Sequence, residues 1–171
     1  INSYEWLVFT SVNGVELFFD EFLKINNDIR KLGNLKIAAI GSETARSLNK
    51  LNLSVDLIPD KFTAEGLLNS FKKLKIRKSK IFIPRASLAR DTLVSGLRKI
   101  GNEVKEVKIY DTILPSKLTK KDVLNKVSGV NIDFITFTSS STVDNFFKYI
   151  TPKKVKSNKD VKFVVIGPIT G

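Results

Sequence analysis

The chain has 171 residues, of which 42% are hydrophobic and 27% charged, with 29 Lys and Arg against 17 Asp and Glu. This composition predicts a globular protein long enough to bury a core. The sequence contains no His and no Cys, which excludes a Ser-His-Asp triad, a thiolate nucleophile, a His/Cys zinc site and disulfides. The acid–base groups that remain are carboxylates, lysines and the tyrosines Tyr4, Tyr110 and Tyr149.

The net charge and the lack of targeting signals indicate where the protein acts and which partners it binds. No uncharged apolar run approaches membrane-spanning length, the start lacks the features of a signal peptide, and Cys is absent, so we expect a cytoplasmic protein. The net charge of +12 favours a polyanionic partner: nucleic acid, an anionic membrane or a small molecule with many carboxylates. The basic runs Lys72–Lys80 and Lys153–Lys162 lack the interleaved aromatic residues of a single-strand binder. Solvated helix ends and loops are the favoured interpretation of both runs.

Over the first 110 residues, short apolar runs alternate with stretches of helical periodicity. Thr63 and Ser87 are expected to cap helices, and Gly101 to follow one as a C′ glycine. The predicted strands are Trp6–Phe9, Ile37–Ile40, Val55–Ile58 ended by Pro59, Ile81–Ile83 ended by Pro84, and Val104–Tyr110. The predicted helices contain Val15–Phe22, Thr44–Asn49, Leu67–Leu74 and Ala89–Ile100. This alternation predicts right-handed βαβ units and a mainly parallel sheet.

After Tyr110 the pattern changes, and residues 113–116 are a predicted linker because Pro115 disfavours helix at the residue before it. The elements predicted beyond the linker are a helix over 120–126 that stops at Gly129, a strand Phe134–Phe137, a helix Val143–Ile150 and a strand Val161–Ile166. We expect residues 1–112 to form one α/β domain and residues 117–171 to form part of a second.

Two distant stretches resemble each other, which indicates an internal repeat. Glu5–Ser11 matches Asp133–Ser139, and the alignment continues without a gap to Phe19 and Phe147. About 25 residues later Lys36–Gly41 matches Lys162–Gly167. The repeat predicts two like domains that face one another across a cleft. A helix follows the first copy but the chain stops after the second, so we expect both ends of the natural protein to be missing.

Candidate ligand-binding residues follow the strands, because ligands of open parallel sheets bind beyond the carboxyl ends of strands. Four such corners carry hydroxyl groups or glycines suited to carboxylates: Thr10, Ser11 and Asn13; Gly41, Ser42 and Thr44; Thr138, Ser139 and Ser140; and Gly167, Pro168 and Thr170. Any one hydroxyl could instead be only an N-cap. No G-x-G-x-x-G or G-x-x-x-x-G-K-[ST] motif supports nucleotide binding.

Two further residues stand at strand ends. Arg85 could clamp a carboxylate, or it could pair with Asp91 or lie in solvent. Tyr110 ends a strand just before the predicted linker, where a tyrosine usually packs with its hydroxyl bonded.

Taken in order, these motifs resemble the uroporphyrinogen-III synthase family. No single motif is specific, but the series is, and it covers essentially the whole chain. The matching motifs are Phe9-Thr10-Ser11-Val12-Asn13-Gly14-Val15, Ala39-Ile40-Gly41-Ser42-Glu43-Thr44-Ala45, Thr63-Ala64-Glu65-Gly66-Leu67-Leu68, Pro84-Arg85 with Ala89-Arg90-Asp91-Thr92-Leu93, Val107-Lys108-Ile109-Tyr110-Asp111-Thr112, Phe137-Thr138-Ser139-Ser140-Ser141-Thr142-Val143 and Ile166-Gly167-Pro168-Ile169-Thr170.

The resemblance implies two flavodoxin-like α/β domains with an interdomain cleft, of which the second is discontinuous and incomplete in this chain. It implies cyclisation of hydroxymethylbilane, a linear tetrapyrrole with eight carboxylates, to uroporphyrinogen III with loss of water and inversion of the fourth ring. It implies no metal and no organic cofactor, and we expect a monomer.

On this resemblance Tyr110 is the candidate acid for the departing hydroxyl, and the corner residues and Arg85 hold the substrate. Two alternatives stay open: a non-catalytic two-lobed module that binds an anion, and nucleic-acid binding driven by charge.

Overall fold

Four parallel strands and their helices form the first part of the chain. The structure is a computed structural model that describes residues 1, 3–88, 91–113, 119–127, 132–151, 161–167 and 170, and it divides into two compact units, Ile1–Thr112 and Ile113–Gly171. The elements of the first unit are β1 (Trp6–Phe9), α1 (Val12–Asn26), a 3-10 helix (Ile29–Leu32), β2 (Lys36–Ala39), α2 (Ser42–Asn49), α3 (Ala64–Lys73), β3 (Lys80–Ala86), α4 (Thr92–Lys99) and β4 (Glu103–Tyr110).

The sheet of the first unit has the order β2-β1-β3-β4, with every described pairing parallel. The chain first extends the sheet from β1 to β2 and then returns to the other side of β1 with β3. The strand order therefore reverses between β1 and β3, and such a switch point is where open α/β sheets bind their ligands.

Hydrophobic residues cover both faces of this sheet, so β1 is buried along its whole length. Trp6 and Val8 pack on the side of α3 and α4, in a cluster with Phe71. Leu7 and Phe9 point to the opposite face and pack against α1 and α2. Successive side chains of a strand alternate between faces, so a continuous apolar run fills two core layers. The predicted strand Trp6–Phe9 is confirmed.

The predicted strand Val55–Ile58 is wrong, because only Leu57 forms an isolated bridge, to Ala38. The Asp56 carboxylate accepts a hydrogen bond of 2.7 Å from the Ile37 amide. This β2 amide is therefore bonded to a side chain and not to the backbone of a neighbouring strand. The run is therefore a short extension of the sheet edge rather than a strand.

The end predicted for the fourth strand is also wrong, since β3 continues through Pro84, which pairs with Val107 of β4. The pairing of β3 with β1 ends at Phe82, so Pro84 lies beyond the ladder in which its missing N–H would be needed.

Two predicted helix starts need correction. Ser87 does not cap α4, which begins at Thr92 after Asp91. The helix predicted over Val143–Ile150 begins at Ser140, three residues earlier, because Ser139 caps it. The predicted caps Thr63 and Gly101 are confirmed: the Thr63 side chain accepts a hydrogen bond from the Gly66 amide, and Gly101 follows α4 with a φ of 96°.

The second unit contains two parallel strands and two helices within its described residues. Its elements are α5 (Lys120–Val127), β5 (Phe134–Phe137), α6 (Ser140–Tyr149) and β6 (Lys162–Val165). The register pairs Phe134 with Lys162 and Phe137 with Val165. Residues 114–116 of the predicted linker and the predicted stop at Gly129 lie outside the described residues.

Candidate active site

A corner of polar residues follows β1 at the carboxyl edge of the first sheet. Helix α1 begins directly after Ser11, whose backbone is extended and whose Oγ accepts a hydrogen bond of 3.0 Å from the Gly14 amide. Thr10 and Ser11 are partly buried, and Asn13 is exposed in the first turn. The partial positive charge of a helix start lies at this corner.

Tyr110 reaches the same corner from the far edge of the sheet. It ends β4, and its phenolic oxygen lies 2.8 Å from Ser11 Oγ, at hydrogen-bond distance. Strand β3 lies between β1 and β4, so the tyrosine side chain spans the switch point. Both residues are site candidates from the sequence, but their contact is not predictable from it because 99 positions separate them.

The backbone of Tyr110 is fixed from β3. Its carbonyl oxygen accepts a hydrogen bond of 2.9 Å from the Ser87 amide and a longer one of 3.4 Å from Ser87 Oγ. Ser87 therefore connects the ends of β3 and β4 instead of capping a helix. The tyrosine is thus held at its carbonyl by one strand end and at its hydroxyl by another.

Gly14 leaves the space that the Ser11 hydroxyl occupies. A Cβ built on Gly14 would lie 3.0 Å from Ser11 Oγ and 3.5 Å from the Pro84 carbonyl oxygen. The first of these distances is closer than ordinary van der Waals contact, so a side chain at this position would press on the hydroxyl. Gly14 belongs to one of the predicted motifs, but the motif alone indicated no role for it.

Arg85 is buried, with a side chain 6% exposed, and its guanidinium lies 3.3 Å from the Glu106 carboxylate. The alternative that Arg85 lies in solvent is therefore wrong, and Glu106 is a described partner of its guanidinium. Arg98 approaches the same carboxylate at 3.9 Å and donates a hydrogen bond of 3.0 Å to the Val104 carbonyl oxygen. Glu106 lies on the neighbouring strand, and no sequence motif indicated that it pairs with Arg85.

The corner after β2 offers backbone more than side chains. Gly41 is buried and precedes α2 without a side-chain cap, and Ser42 is exposed. Thr44 is only 4% exposed and lies on the helix face that packs on the core with Ala45 and Leu48. The Thr44 hydroxyl is therefore not presented at the surface of this unit.

The second unit repeats the corner of the first in detail. Ser139 has a φ of −162° and a ψ of 157°, against −163° and 157° for Ser11, and its side chain likewise accepts a hydrogen bond from the amide three residues later. Ser139 Oγ also contacts Ser141 Oγ at 3.0 Å, whereas Ser11 contacts Tyr110. Among the described residues, the serine–tyrosine contact thus distinguishes the first corner from the second.

The aromatic residues behind the two corners also correspond. The ring centroids of Phe9, Phe18 and Phe19 lie 5.1–5.9 Å apart. Those of Phe137, Phe146 and Phe147 lie 5.2–6.3 Å apart with closely similar interplanar angles. The predicted repeat is therefore present in three dimensions.

The remaining predicted residues lie at the strand ends of the second unit. Thr138 is exposed, Ser140 and Gly167 are partly buried, and the Thr170 amide donates a hydrogen bond of 3.0 Å to the Gly167 carbonyl oxygen. Because β5 and β6 are parallel and in register, residues 138 and 166–167 follow the same edge of this sheet. Pro168 lies outside the described residues.

Two surface cavities lie at the opposite edge of the first sheet, at the amino ends of its strands. They have volumes of about 400 and 500 Å³, and Glu5, Trp6 and Lys36 line both. The predicted site residues line neither cavity.

Within the described ranges, no group of three or more acidic side chains is arranged to hold a metal ion. In the same part of the chain, no helix is both long and apolar enough to cross a membrane.

The chain is a two-unit α/β protein. Each unit contains a parallel sheet with polar corners at its carboxyl edge. The family model "Uroporphyrinogen-III synthase HemD" matches residues 1–171. A Methanothermobacter thermautotrophicus protein assigned as a uroporphyrinogen-III synthase is 36% identical to this chain. The alignment covers 97% of this chain and 67% of that protein. The uroporphyrinogen-III synthase of Chlorobaculum parvum is 26% identical over 99% of this chain and 69% of its own.

Solved structures agree with this class in their fold. The Helicobacter pylori uroporphyrinogen-III synthetase matches with a TM-score of 0.68 at 21% identity, over 99% of this chain and 71% of that one. A mutant Thermus thermophilus uroporphyrinogen III synthase matches with a TM-score of 0.66 at 17% identity, over 99% of this chain and 67% of that one. The chain belongs to the uroporphyrinogen-III synthase family and spans about two thirds of the length of these relatives.

Proposed function

We propose that this protein cyclises hydroxymethylbilane to uroporphyrinogen III, with loss of water and inversion of the last pyrrole ring, as a lyase of porphyrin biosynthesis. The observation that carries the proposal is the family match over the whole chain. The net charge of +12 suits a substrate with eight carboxylates.

Tyr110 is the proposed acid. Its phenolic O–H can donate a proton to the departing hydroxyl, which leaves as water. The substituted carbon of the last ring then attacks the resulting azafulvene to form a spiro intermediate. This intermediate fragments and closes again with the ring turned over. The Tyr110 hydroxyl reaches from β4 to the corner after β1, beside the switch point of the sheet, and this position supports the role.

The polar corners are the proposed binding groups for the substrate carboxylates. In the first unit these are Thr10, Asn13 and the backbone at Gly41 and Ser42, which lie at starts of helices that favour anions. In the second unit they are Thr138, Ser139, Ser140, Gly167, Pro168 and Thr170. Thr44 and Arg85 are secondary candidates because both are buried, and Arg85 also pairs with Glu106.

Product analysis tests the reaction, because hydroxymethylbilane closes without an enzyme to the uninverted type I isomer. The protein should raise the share of the type III isomer, measured by chromatographic separation of the two isomers. A protein that binds hydroxymethylbilane without changing the isomer ratio would instead be an anion-binding module.

The role of Tyr110 is tested by Tyr110→Phe, which removes the proton donor and keeps the ring. We expect kcat to fall about 100-fold, the lower end of general acid catalysis. Tyr149→Phe, a change outside the proposed site, should leave kcat within about twofold. Full turnover by Tyr110→Phe would reject the assignment.

We also propose that the protein acts as a cytoplasmic monomer with the tetrapyrrole as its partner and without nucleic acid or a membrane, and that residues 1–112 and 117–171 belong to two domains. Light scattering after size-exclusion chromatography tests the monomer. Binding to DNA or RNA that weakens steeply with added salt would contradict the absence of a nucleic-acid partner.

A further inference from the structure

The hydroxyl of Ser11 has a limited set of hydrogen bonds to make. A serine hydroxyl donates one and accepts at most two, and a tyrosine hydroxyl also donates only one. Ser11 Oγ already accepts the Gly14 amide at 3.0 Å, and it shares a bond of 2.8 Å with the Tyr110 hydroxyl. Only one of these two hydroxyls supplies the proton in their shared bond.

The proposed role of Tyr110 decides the direction of this bond. If Tyr110 donated to Ser11, its single proton would be engaged and could not reach the substrate. If Ser11 donates to Tyr110, the phenolic proton is free to point away from Ser11. The Gly14 amide holds the Ser11 oxygen as an acceptor and leaves its proton available for Tyr110.

We infer that Ser11 is a positioning residue for Tyr110: its hydroxyl, held by the Gly14 amide at the start of α1, donates to the phenolic oxygen and directs the phenolic proton toward the substrate. This inference rests on the proposed role of Tyr110 as the acid. It differs from the sequence-based expectation that Ser11 itself holds a carboxylate of the substrate.

The hydrogen bond from Ser11 to Tyr110 also stabilises the charge that forms on the phenolic oxygen during the reaction. When the phenolic O–H bond breaks, the proton joins the departing hydroxyl to form water, and the bonding electron pair stays on the Tyr110 oxygen. The Ser11 hydrogen bond and the positive end of α1, a helix of 15 residues, stabilise that oxygen. The proton lost from the last pyrrole ring as it closes again then restores the phenol.

Ser11→Ala and Ser11→Gly test the inference, assayed with hydroxymethylbilane as substrate. Both remove the hydroxyl, and glycine is the second variant because it is nearly as good an N-cap as serine. We expect kcat to fall about 10-fold with KM changed less than about twofold, because the acid loses orientation and the substrate keeps its binding groups. Ser11→Thr, which keeps the hydroxyl, should restore kcat to within about threefold of the unaltered protein.

Thr63→Ala is the matched control for the loss of a helix cap. Thr63 Oγ1 accepts a hydrogen bond of 3.0 Å from the Gly66 amide, as Ser11 does from Gly14, but Thr63 caps a different helix, α3. This variant should lose a similar amount of stability with kcat unchanged.

Gly14→Ala should lower kcat, as Ser11→Ala does, because its methyl group displaces the Ser11 hydroxyl. Alanine itself favours the helix, so a lower kcat would not come from a weaker helix.

The double variant separates this inference from the proposed function. In the Tyr110→Phe background, Ser11→Ala should change kcat by less than about twofold, because the group through which Ser11 acts is already gone. A tenfold loss that persists in this background overturns the inference, as does a rise in KM with kcat intact, which would assign Ser11 to direct binding. Full turnover by Tyr110→Phe alone would reject the acid, and no type III isomer from the unaltered protein would reject the reaction.

Discussion

The buried ion pair of Arg85 and Glu106 predicts a measurable loss of stability when its charge is removed. The Arg85 side chain is 6% exposed and the Glu106 side chain 30%, and their charged atoms are 3.3 Å apart. Glu106→Gln keeps the size of the side chain but leaves the buried guanidinium without its full counter-charge. Loss of one partner of a fully buried pair costs about 3–5 kcal/mol, and the partial exposure of Glu106 reduces our expected cost to about 2 kcal/mol.

Urea unfolding followed by tryptophan fluorescence measures this cost in the first unit alone. Trp6 is the single tryptophan of the chain, and it is 5% exposed in the core of that unit. With a slope of about 2 kcal/mol per molar urea, a loss of about 2 kcal/mol lowers the midpoint by about 1 M.

Glu103→Gln is the matched control, because Glu103 lies 4.0 Å from Lys80 with both side chains at least half exposed. Such surface pairs contribute about 0–1 kcal/mol, so its midpoint should hardly move. Equal midpoints for Glu106→Gln and Glu103→Gln would refute the reasoning that burial of Arg85 makes the pair important.

Phe71→Ala empties a fully buried site and should cost about 3–5 kcal/mol; Leu74→Ala, at a residue 56% exposed, should cost far less, and similar losses would contradict the packing. Gly101→Ala should cost about 1 kcal/mol in thermal unfolding because φ is 96°, and an unchanged Tm would count against this. Hydrogen bonds from Arg30 hold the pKa of Asp28 below its usual range, so the stabilisation is present above the ordinary carboxyl pKa and lost as pH falls through the lowered pKa. An NMR titration should show this pKa rising in Arg30→Gln, and no change would disprove the pairing.

Local patterns predicted the repeating units well. The spacing of Val15, Phe18, Phe19 and Phe22 predicted the buried face of α1, since side chains three and four apart lie on one face of a helix. The match of the two Phe-Thr-Ser motifs predicted two equivalent corners, which the structure contains with nearly equal Ser11 and Ser139 backbone angles. Such features depend on neighbours within a few residues.

Edges of elements were harder to predict because tertiary contacts decide them. Pro84 ends a strand by local rules, yet β3 continues through it since β1 no longer pairs there. Local apolar residues predicted a strand around Leu57, but the Asp56 side chain accepts the hydrogen bond of the Ile37 amide in β2, where a strand would use its backbone.

By itself the sequence determined the order of strands and helices, the repeat, the absence of His and Cys chemistry, and the residue types at the strand ends. Only the tertiary structure decided which of those residues meet. The order β2-β1-β3-β4 brings Tyr110 to Ser11, and Arg85 to Glu106. Periodicity shows which face of an element is buried, but the neighbour across that face depends on strand order, which is set by the packing of the whole unit.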